Sequence, residues 1–543
     1  MLLVRTRARR ASWLLLPALL AAATPAASQD NGDGRAPVVT AAVQVTRDPN
    51  PSRAYASPQI GRNPKTGELV IAATEFRTTK TCNVYVSADN GRSWSDGASP
   101  SLAPFTDCGD DPISAANLTV AFDAEGVLYV AYTAHDPKVN DGRARNERPM
   151  QVVLARSTDS GRTFQAAKVY TPPEGATPAD GRLGNRRPFV AVDPKTPANV
   201  YVAWMQAGGT GRPDRALVAA SADGGRTFGA PVEVGDDRGA YQSRPAVGGN
   251  GVVHIVTPTR GQSPPTTAAP AGSEPTTTSS TLAPLRPTNY RSSSDKGKSW
   301  TPIKEIDQGN AGFSFARKQL LAADPNSSSL YFVWYGNRNP RAQRPPMGND
   351  DRDIFIRVSS DSGRTWSDAR EVNDDAARAD IQHYDPGMAI APNGRLDLAW
   401  YDFRHSPMPE GEAPGGNANG WNDVYYTYST DRGATLARNI RISDRSIDRS
   451  IGVWSNNSHI HAHIGIASSD DAVYFAWQDT RNGSTQFQAE DVYFASATFG
   501  DVAVDAGDED SGVPAGVLVA MGVAVGLGVA MLLAVAIGRR RPT

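Results

Sequence analysis

The stretch SSDSGRTW at Ser359–Trp366 is one of six copies of a single eight-residue turn in this chain of 543 residues. The copies share the pattern Ser-x-Asp-x-Gly-x-Ser/Thr followed by an aromatic residue, which Leu436 replaces in the last copy. They begin 64 to 72 residues apart, and a short motif that recurs at a near-constant period predicts a repeat architecture. The other five copies are Ser87–Trp94, Ser157–Phe164, Ser221–Phe228, Ser293–Trp300 and Ser429–Leu436.

Each copy has the chemistry of a tight β-hairpin. The aspartate can accept hydrogen bonds from backbone N–H groups across the turn, and the glycine provides a position with positive φ. The aromatic residue then packs back onto the sheet. Two alternating apolar strands and a third strand precede each turn, and a fourth strand follows it, which is the composition of a propeller blade.

The residues between 29 and 500 contain seven such units. The seventh ends at Asp491–Phe499 without the repeated turn, and the apolar segment Val38–Thr46 has no blade of its own. We therefore expect this segment to supply the outer strand of the last blade, because that pairing removes two exposed sheet edges. The prediction is an all-β, seven-bladed β-propeller over residues 29–500, with a six-bladed ring as the alternative.

The repeated turn resembles the Asp-box, or BNR repeat, of the sialidase-like β-propellers, and the resemblance covers Val38–Phe499 for the fold. It implies a site with three arginines on a substrate carboxylate, a tyrosine nucleophile paired with a glutamate, and an aspartate as acid/base. On that basis Tyr384, Asp385 and Asp111 are candidate catalytic residues. The chain departs from the family where the first-blade Arg-Ile-Pro is replaced by Ala56-Ser57-Pro58, and no glutamate stands at a first-strand start.

The long insertions predict which face of the propeller is functional. They lie between second and third strands or between blades, and in a propeller both loop types share one face, opposite the repeated turns. The first strands also begin on this face, near the central channel. The insertions are Asp136–Pro149, Gly261–Pro287, Asn339–Asp351, Arg404–Trp421 and Arg441–Ser458.

Scarce and cationic residues gather at these strand starts, and we predict that they bind a ligand bearing a carboxylate or phosphate, which arginine forks match well. The alternative is that each arginine pairs with a neighbouring blade as a feature of the repeat. His461 and His463 share one strand face and are candidate metal ligands, with structural histidines as the alternative and no cofactor predicted. The predicted ligand-binding residues are Arg187, Arg244, Arg317, His383 and His461.

Both ends of the chain differ from the repeats. Residues 1–28 have a basic start, an apolar run and small residues before the end, which is typical of a signal peptide. Residues 501–512 form an acidic stalk, and Val513–Gly538 holds 26 residues without a charge, enough to cross a bilayer as a helix. The arginines in residues 539–543 favour a cytoplasmic tail.

Composition narrows the class of partner. The net charge of −2 and a charged fraction of 21% leave no electrostatic footprint for nucleic acid. Cys82 and Cys108 are close in sequence in an exported chain, and we expect a disulfide between them, with two free thiols as the alternative.

Two hypotheses about function follow. The first is a membrane-anchored, extracytoplasmic propeller that binds a glycan or another anionic surface partner on its loop face. The second is a glycoside hydrolase, of exo-sialidase type, with a non-standard active site. The missing first-blade arginine favours binding, because a substrate carboxylate then loses part of its clamp.

The predicted topology has a direct test. Residues 29–510 should be extracytoplasmic and 539–543 cytoplasmic, because clustered arginines resist translocation. Protease added to intact spheroplasts should therefore remove the large domain. Full protection of that domain would contradict the topology.

Overall fold

The computed structural model describes most of the chain between residues 36 and 500. Neither end of the chain lies within the described part. The described residues are 36–75, 77, 81–97, 118–135, 149–176, 184–209, 212–240, 242–259, 287–307, 318–337, 352–375, 381–406, 420–452 and 464–500. Within them the regular elements are β-strands, which pair into seven separate antiparallel sheets. The prediction of a seven-bladed all-β propeller is confirmed, and the six-bladed alternative is wrong.

Each blade contributes consecutive strands to its own sheet. Blade one contains β3 (Tyr55–Arg62), β4 (Leu69–Glu75) and β5 (Thr81–Ser87), and blade two contains β6 (Thr119–Phe122), β7 (Leu128–His135), β8 (Met150–Ser157) and β9 (Gln165–Tyr170). Blade three contains β10 (Asn185–Val192), β11 (Val200–Gln206), β12 (Arg215–Ser221) and β13 (Val232–Glu233). Blade four contains β14 (Arg244–Val247), β15 (Val253–Pro258), β16 (Thr288–Ser293) and β17 (Lys304–Asp307).

The remaining strands form blades five, six and seven. Blade five contains β18 (Gln319–Ala323), β19 (Leu330–Asn337), β20 (Arg352–Ser359) and β21 (Arg370–Glu371). Blade six contains β22 (His383–Ile390), β23 (Leu396–Asp402), β24 (Trp421–Ser429), β25 (Ile440–Arg441) and β26 (Ile447–Asp448). Blade seven contains β27 (Gly465–Ser468), β28 (Ala472–Asp479) and β29 (Asp491–Thr498), which are joined by β1 (Val38–Val39) and β2 (Val43–Gln44).

The first strand of each blade lies closest to the propeller axis. These strands contact one another in succession around the whole ring, from β3 through β6, β10, β14, β18 and β22 to β27 and back to β3. Because the strands of a blade alternate in direction, the first strands begin on the loop face. The second strands end there and the third strands begin there.

The apolar core lies between blades rather than inside any one of them. Buried clusters join each blade to the next, and alternating side chains of the strands supply them. Trp204, Trp400 and Trp477 are fully buried in three of these layers. A blade therefore buries its two faces only when both neighbours are in place.

The six repeated turns share one hydrogen-bond pattern. In the first, the backbone N–H of Gly91 donates to Ser87 Oγ at 2.8 Å, and the N–H and hydroxyl of Ser93 donate to Asp89 at 2.9 and 2.6 Å. Asn90 and Gly91 have φ of 58° and 87°, as expected for a tight hairpin turn. A Cβ on Gly91 would lie 2.0 Å from the Phe494 ring, so this position requires glycine. The other five turns repeat these bonds.

The amino-terminal segment closes the ring, as predicted. Val38 and Val39 pair with the end of β29, and β2 pairs with its middle. The Thr46 hydroxyl donates to Asp491 Oδ1 at 2.8 Å, and Val45 is buried in the layer between blades seven and one. Two short strands thus take the place of the outer strand that blade seven lacks.

Some predictions fall on other parts of the chain. Cys82 is buried in β5, but Cys108 lies outside the described residues, so the disulfide stays a prediction. The signal peptide, the acidic stalk and the segment Val513–Gly538 lie outside them as well. In the part that the structure describes, we find no helix with the length and apolar character needed to span a bilayer.

Deletion of residues 29–46 should unfold the propeller at a much lower temperature. The deletion exposes the edge of β29 and removes the buried Val45 and the Thr46 hydrogen bond, a loss on the order of 5 kcal/mol. Thermal unfolding followed by circular dichroism measures the effect. A shorter deletion of residues 29–35, which keeps β1 and β2, is the control. Equal melting temperatures for the two truncated proteins would contradict closure by this segment.

Candidate functional site

Three first strands begin on the loop face with the same backbone irregularity, a residue of positive φ. Ser57, Arg187 and Asp385 have φ of 53°, 54° and 50°, and each is followed by a proline. The strand register shifts at each of these places, in β3, β10 and β22. A bulge re-aims a side chain, and a non-glycine residue with positive φ costs of order 1–3 kcal/mol. Such strain persists where the surrounding structure holds it and often marks a functional position.

Charged side chains from blades three to six, and from the segment that enters blade seven, meet at the mouth of the channel. Arg244 in blade four interacts electrostatically with Arg187 in blade three and with Asp385 in blade six. Lys318, just before β18, interacts with Asp385 and Arg244. Arg449, which follows β26 on the way to blade seven, interacts with Asp385. Because blades four and six are not neighbours, these side chains must converge toward the axis. We call these five residues the cation cluster.

Burial lowers the pKa values of three cations of the cation cluster, and repulsion between neighbouring cations contributes to two of these shifts. Burial lowers the pKa of Lys318 to about 7, with Arg244 lowering it further and Asp385 opposing the shift. Burial and the charge of Arg187 lower the pKa of Arg244 to about 9. Burial likewise lowers the pKa of Arg449 to about 10, against the opposing effect of its acidic neighbours. Burial thus opposes the charged form of each of these three cations, and the carboxylates nearby favour it.

Tyr401 and Gln478 lie beside the cation cluster and extend the candidate site. The Arg449 guanidinium lies 5.6 Å from the centre of the Tyr401 ring, and the Tyr401 hydroxyl accepts a hydrogen bond from the backbone N–H of Gln478 at 3.1 Å. Gln478 Oε1 accepts the N–H of Ser57 at 3.4 Å. Among the described residues none accepts a hydrogen bond from Gln478 Nε2, which is buried. The site thus has a buried amide donor without an acceptor in the described part of the chain.

A glutamate that sequence reasoning missed belongs to the same region. Glu490 is fully buried, directly precedes β29, and raises the pKa of Arg449 by its charge. The sequence analysis considered the starts of the first strands, and Glu490 instead precedes a third strand. The signal was present in the sequence, since third strands begin on the same face as first strands.

The structure brings some of the predicted site residues together, and others lie outside its described part. Arg187, Arg244, Tyr384 and Asp385 are brought together at the channel mouth. Lys318, Tyr401, Arg449 and Glu490 join them without having been predicted, Lys318 standing next to the predicted Arg317. Four predicted residues lie outside the described part of the chain, namely Asp111, Arg317, His461 and His463.

His383 lies at the junction of blades five and six and is fully buried among carboxylates. Its Nδ1 is 3.3 Å from Asp353, and its Nε2 is 3.1 Å from Asp375 and 3.3 Å from Asp402. These carboxylates raise the pKa of His383 well above its usual value although burial opposes the shift. The geometry is that of a charged histidine that ties two blades together.

The same junction has the spacing of a metal site. Potential ligand atoms of Asp375, His383 and Asp402 lie within 4.8 Å of one another. Arg404 already contacts the two carboxylates, at 2.8 Å from Asp402 and 3.6 Å from Asp375, and stacks 4.1 Å above the Tyr425 ring. With an arginine against the same oxygens, the junction fits an ion-pair network better than a metal ion.

Asp479 and Arg481 in blade seven have the same spacing in sequence as Asp402 and Arg404 and serve the same structural purpose. Arg481 contacts Asp479 at 2.7 Å and Asp444 at 2.8 Å, and it stacks 4.2 Å above the Tyr493 ring. These arginines pair with neighbouring carboxylates and are not part of the cation cluster.

Replacing His383 by glutamine should destabilise the protein by about 3–5 kcal/mol, because the variant leaves buried carboxylates without their cation. A raised pKa stabilises the fold below the ordinary histidine pKa of about 6.5 and loses this effect as the pH rises through the folded-state pKa. The wild-type melting temperature should therefore fall more between pH 6 and pH 9.5 than that of His383→Gln.

His405→Gln is the matched control. His405 is 51% exposed and contacts Asp423 at 3.1 Å, so its loss should cost at most about 1 kcal/mol. Equal stability changes in the two variants would contradict a special role for His383.

The chain is similar to solved structures only at low sequence identity. No family model matches the chain, and no curated protein matches it. Among solved structures, a protein of unknown function from Dyadobacter fermentans is 13% identical with a TM-score of 0.43, over 85% of this chain and 99% of that one. The Hadza microbial sialidase Hz136 is 15% identical with a TM-score of 0.41, over 77% and 74%. The alpha-L-arabinanase of Penicillium chrysogenum is 11% identical with a TM-score of 0.41, over 84% and 98%.

This chain is a seven-bladed β-propeller whose resemblance to the sialidase-like propellers rests on its repeated turns and its fold.

Proposed function

We propose that the channel mouth binds a carboxylate-bearing sugar of a glycan. The observation that carries the proposal is the cation cluster, in which Arg244, Lys318 and Arg449 interact with Asp385 and Arg187 interacts with Arg244. Three of them, Arg187, Lys318 and Arg449, are only 5–6% exposed.

Electrostatics favours an anionic group in this position. Buried charges of one sign repel each other and lose hydration, so an incoming anion relieves an unfavourable arrangement. Arginine forks also match the two oxygens of a carboxylate. The structure holds these cations in place through bulged strands and aromatic contacts, such as Arg244 at 4.0 Å from the centre of the Phe189 ring. The ligand therefore meets donors that are already oriented.

The neighbours of the cluster favour a sugar over a bare inorganic anion. Gln478 Nε2 and Arg244 Nε are buried donors without an acceptor in the described part of the chain, and they suit ring hydroxyls. The half-buried Tyr384 ring stands next to Asp385 and packs edge-on against Phe403 at 5.6 Å. Aromatic faces beside fixed polar groups are typical of sites for small amphipathic ligands.

Binding without turnover fits the state of the tyrosine. Burial raises the pKa of Tyr401, although the charge of Arg449 and the hydrogen bond from the Gln478 N–H oppose the shift, so the phenol stays protonated at neutral pH. A protonated phenol is a poor nucleophile unless a base removes its proton.

The hydrolase remains the second candidate because of one observation. Glu490 and Tyr401 both interact with Arg449, and Asp385 faces the same group. Hydrolysis of a fluorogenic sialoside that is abolished by Glu490→Gln and by Tyr401→Phe would favour the enzyme over the binding protein.

We also propose that residues Val513–Gly538 anchor the protein in a membrane, because 26 residues without a charge are enough to cross a bilayer as a helix.

Binding can be measured by calorimetry on the full chain in detergent. We expect 3′-sialyllactose or trigalacturonate to bind, and neutral lactose to bind weakly or not at all. Arg244→Ala and Lys318→Met should each lower the affinity about 10- to 100-fold, since a hydrogen bond to a charged group contributes about 1.5–3 kcal/mol.

Two exposed cations in the repeated turns supply matched controls. Arg226→Ala and Lys298→Met remove the same charges from the opposite face and should leave the affinity unchanged. Equal affinity for lactose and for the acidic sugars, or no binding of any acidic sugar, would contradict the proposal.

The same titration has a pH dependence with a definite sign. Lys318, whose pKa is about 7, is cationic below that pH, so affinity for an anion should fall as the pH rises from 6 to 8. Lys318→Arg retains the charge and should remove most of this dependence. The groups that face Lys318 in the cluster are Arg244, which disfavours its charge, and Asp385, which favours it.

A further inference from the structure

We propose that the Lys318 amine forms an imine with small acids that carry an aldehyde or ketone group beside the carboxylate, such as 2-oxo acids. This chemistry goes beyond the noncovalent binding of an acidic sugar. It rests on the proposed function only in that the arginines of the cation cluster attract a carboxylate.

Lys318 stands between two charged neighbours at the same end of consecutive first strands. The first strands of blades four, five and six contact one another in that order. Arg244 begins β14, Lys318 directly precedes β18, and Asp385 is the third residue of β22. Lys318 is only 6% exposed. Its amine is therefore enclosed at the channel mouth, under the influence of a cation and a carboxylate.

Lys318 lacks the close partner that a buried cation needs. Within the described residues its amine makes neither a hydrogen bond nor an ion pair, and Asp385 acts on it only through its charge. Other cations of the fold differ, since Arg395 contacts Asp397 at 2.9 Å and Arg53 contacts Asp491 at 2.6 Å. A buried amine without such a contact is more easily held in its neutral form.

The neutral form of an amine is the nucleophile. Burial lowers the pKa of Lys318 to about 7, and the charge of Arg244 adds to this shift while Asp385 opposes it. At pH 7 about half of the molecules carry a neutral amine at such a pKa, against about one in 2,500 for a lysine of ordinary pKa. Burial next to another cation is a known way to activate a lysine for imine formation.

The arginines beside Lys318 favour a carbonyl compound that is also an acid. Arg244 interacts with both Arg187 and Lys318, and arginine forks match the two oxygens of a carboxylate. In a 2-oxo acid the carbonyl carbon is bonded directly to the carboxylate. Binding of the acid therefore brings the carbonyl group toward the amine.

Imine formation here needs no oxidant or reductant. The lone pair of the neutral Lys318 nitrogen forms a bond to the carbonyl carbon, and the C=O bond breaks. The oxygen leaves as water and takes both amine protons with it. Uptake of one proton from solvent restores a positive charge on the nitrogen, which the charge of Asp385 favours.

Reductive trapping on the full chain in detergent tests the proposal. Glyoxylate with sodium cyanoborohydride converts an imine into a stable carboxymethyl amine, which peptide mass spectrometry assigns to a residue. At pH 7 we expect Lys318 to be modified at least about tenfold faster than the exposed Lys298 of a repeated turn. Modification of Lys318 at the same rate as Lys298, or more slowly, would overturn the proposal.

The pH profile separates a neutral buried amine from a lysine that is merely accessible. Modification of Lys318 should level off above pH 8, where its amine is neutral, with Arg244 and Asp385 as the charged groups that set its pKa. The rate at Lys318 relative to Lys298 in the same sample should therefore fall between pH 7 and pH 9. A ratio that stays constant over this range contradicts activation of Lys318.

Three comparisons test the role of the carboxylate and of the amine. With acetaldehyde, which lacks the carboxylate, the preference for Lys318 over Lys298 should be about tenfold smaller. Arg244→Gln should lower the rate at Lys318 about tenfold at low glyoxylate and leave Lys298 unchanged. Lys318→Arg retains the charge and should abolish the fast modification. Equal preference with glyoxylate and acetaldehyde would overturn selection of an acid.

The outcomes distinguish this inference from the proposed function. If acidic sugars bind but Lys318 is not modified preferentially, the imine is overturned and the noncovalent site stands. If Lys318 is modified preferentially although no acidic sugar binds, the proposed function is overturned and the imine stands. Protection of Lys318 by trigalacturonate would support both.

Discussion

Pairing of β1 and β2 with β29 is the interaction on which the rest of the propeller depends. Each blade is a small twisted sheet whose faces are buried only against its neighbours. An open ring would leave the faces of blades one and seven in water and the edge of β29 unpaired. A segment of fewer than ten residues completes the last blade, and the layer around Val45 and Phe494 then seals the ring.

Closure of the ring also holds the residues of the candidate site together. The cation cluster takes side chains from blades three to six and from the segment that enters blade seven, and none of these blades could hold the charges together alone. Repulsion among Arg187, Arg244 and Lys318 opposes their approach, and the positive φ at Arg187 adds strain. The packed layers between the blades supply the stability that holds this arrangement in place, which is a common relation between a rigid scaffold and a strained site.

The two faces of the propeller have different physical tasks. On one face the repeated turns satisfy their own polar groups internally, with each aspartate held by a hydroxyl and backbone N–H groups. They vary little because the glycine with positive φ and the short hydrogen-bonded loop allow few substitutions. On the other face the loops differ in length from blade to blade, and the ion pairs around His383, Arg404 and Arg481 anchor their bases. Variation in loop length is confined to the face opposite the repeated turns.

The sequence by itself determined the repeat, the number of blades, the role of Val38–Thr46 and the face that carries the long loops, because these follow from local turn chemistry and strand periodicity. It also identified Arg187, Arg244, Tyr384 and Asp385 by their place at strand starts. Only the tertiary structure decided which charges meet. Lys318, Arg449 and Glu490 come from positions far apart in the chain, and His383 is drawn instead into the junction of blades five and six. Convergence at an axis depends on the rotation between blades and on bulges that re-aim single residues, and neither leaves a periodic trace in the sequence.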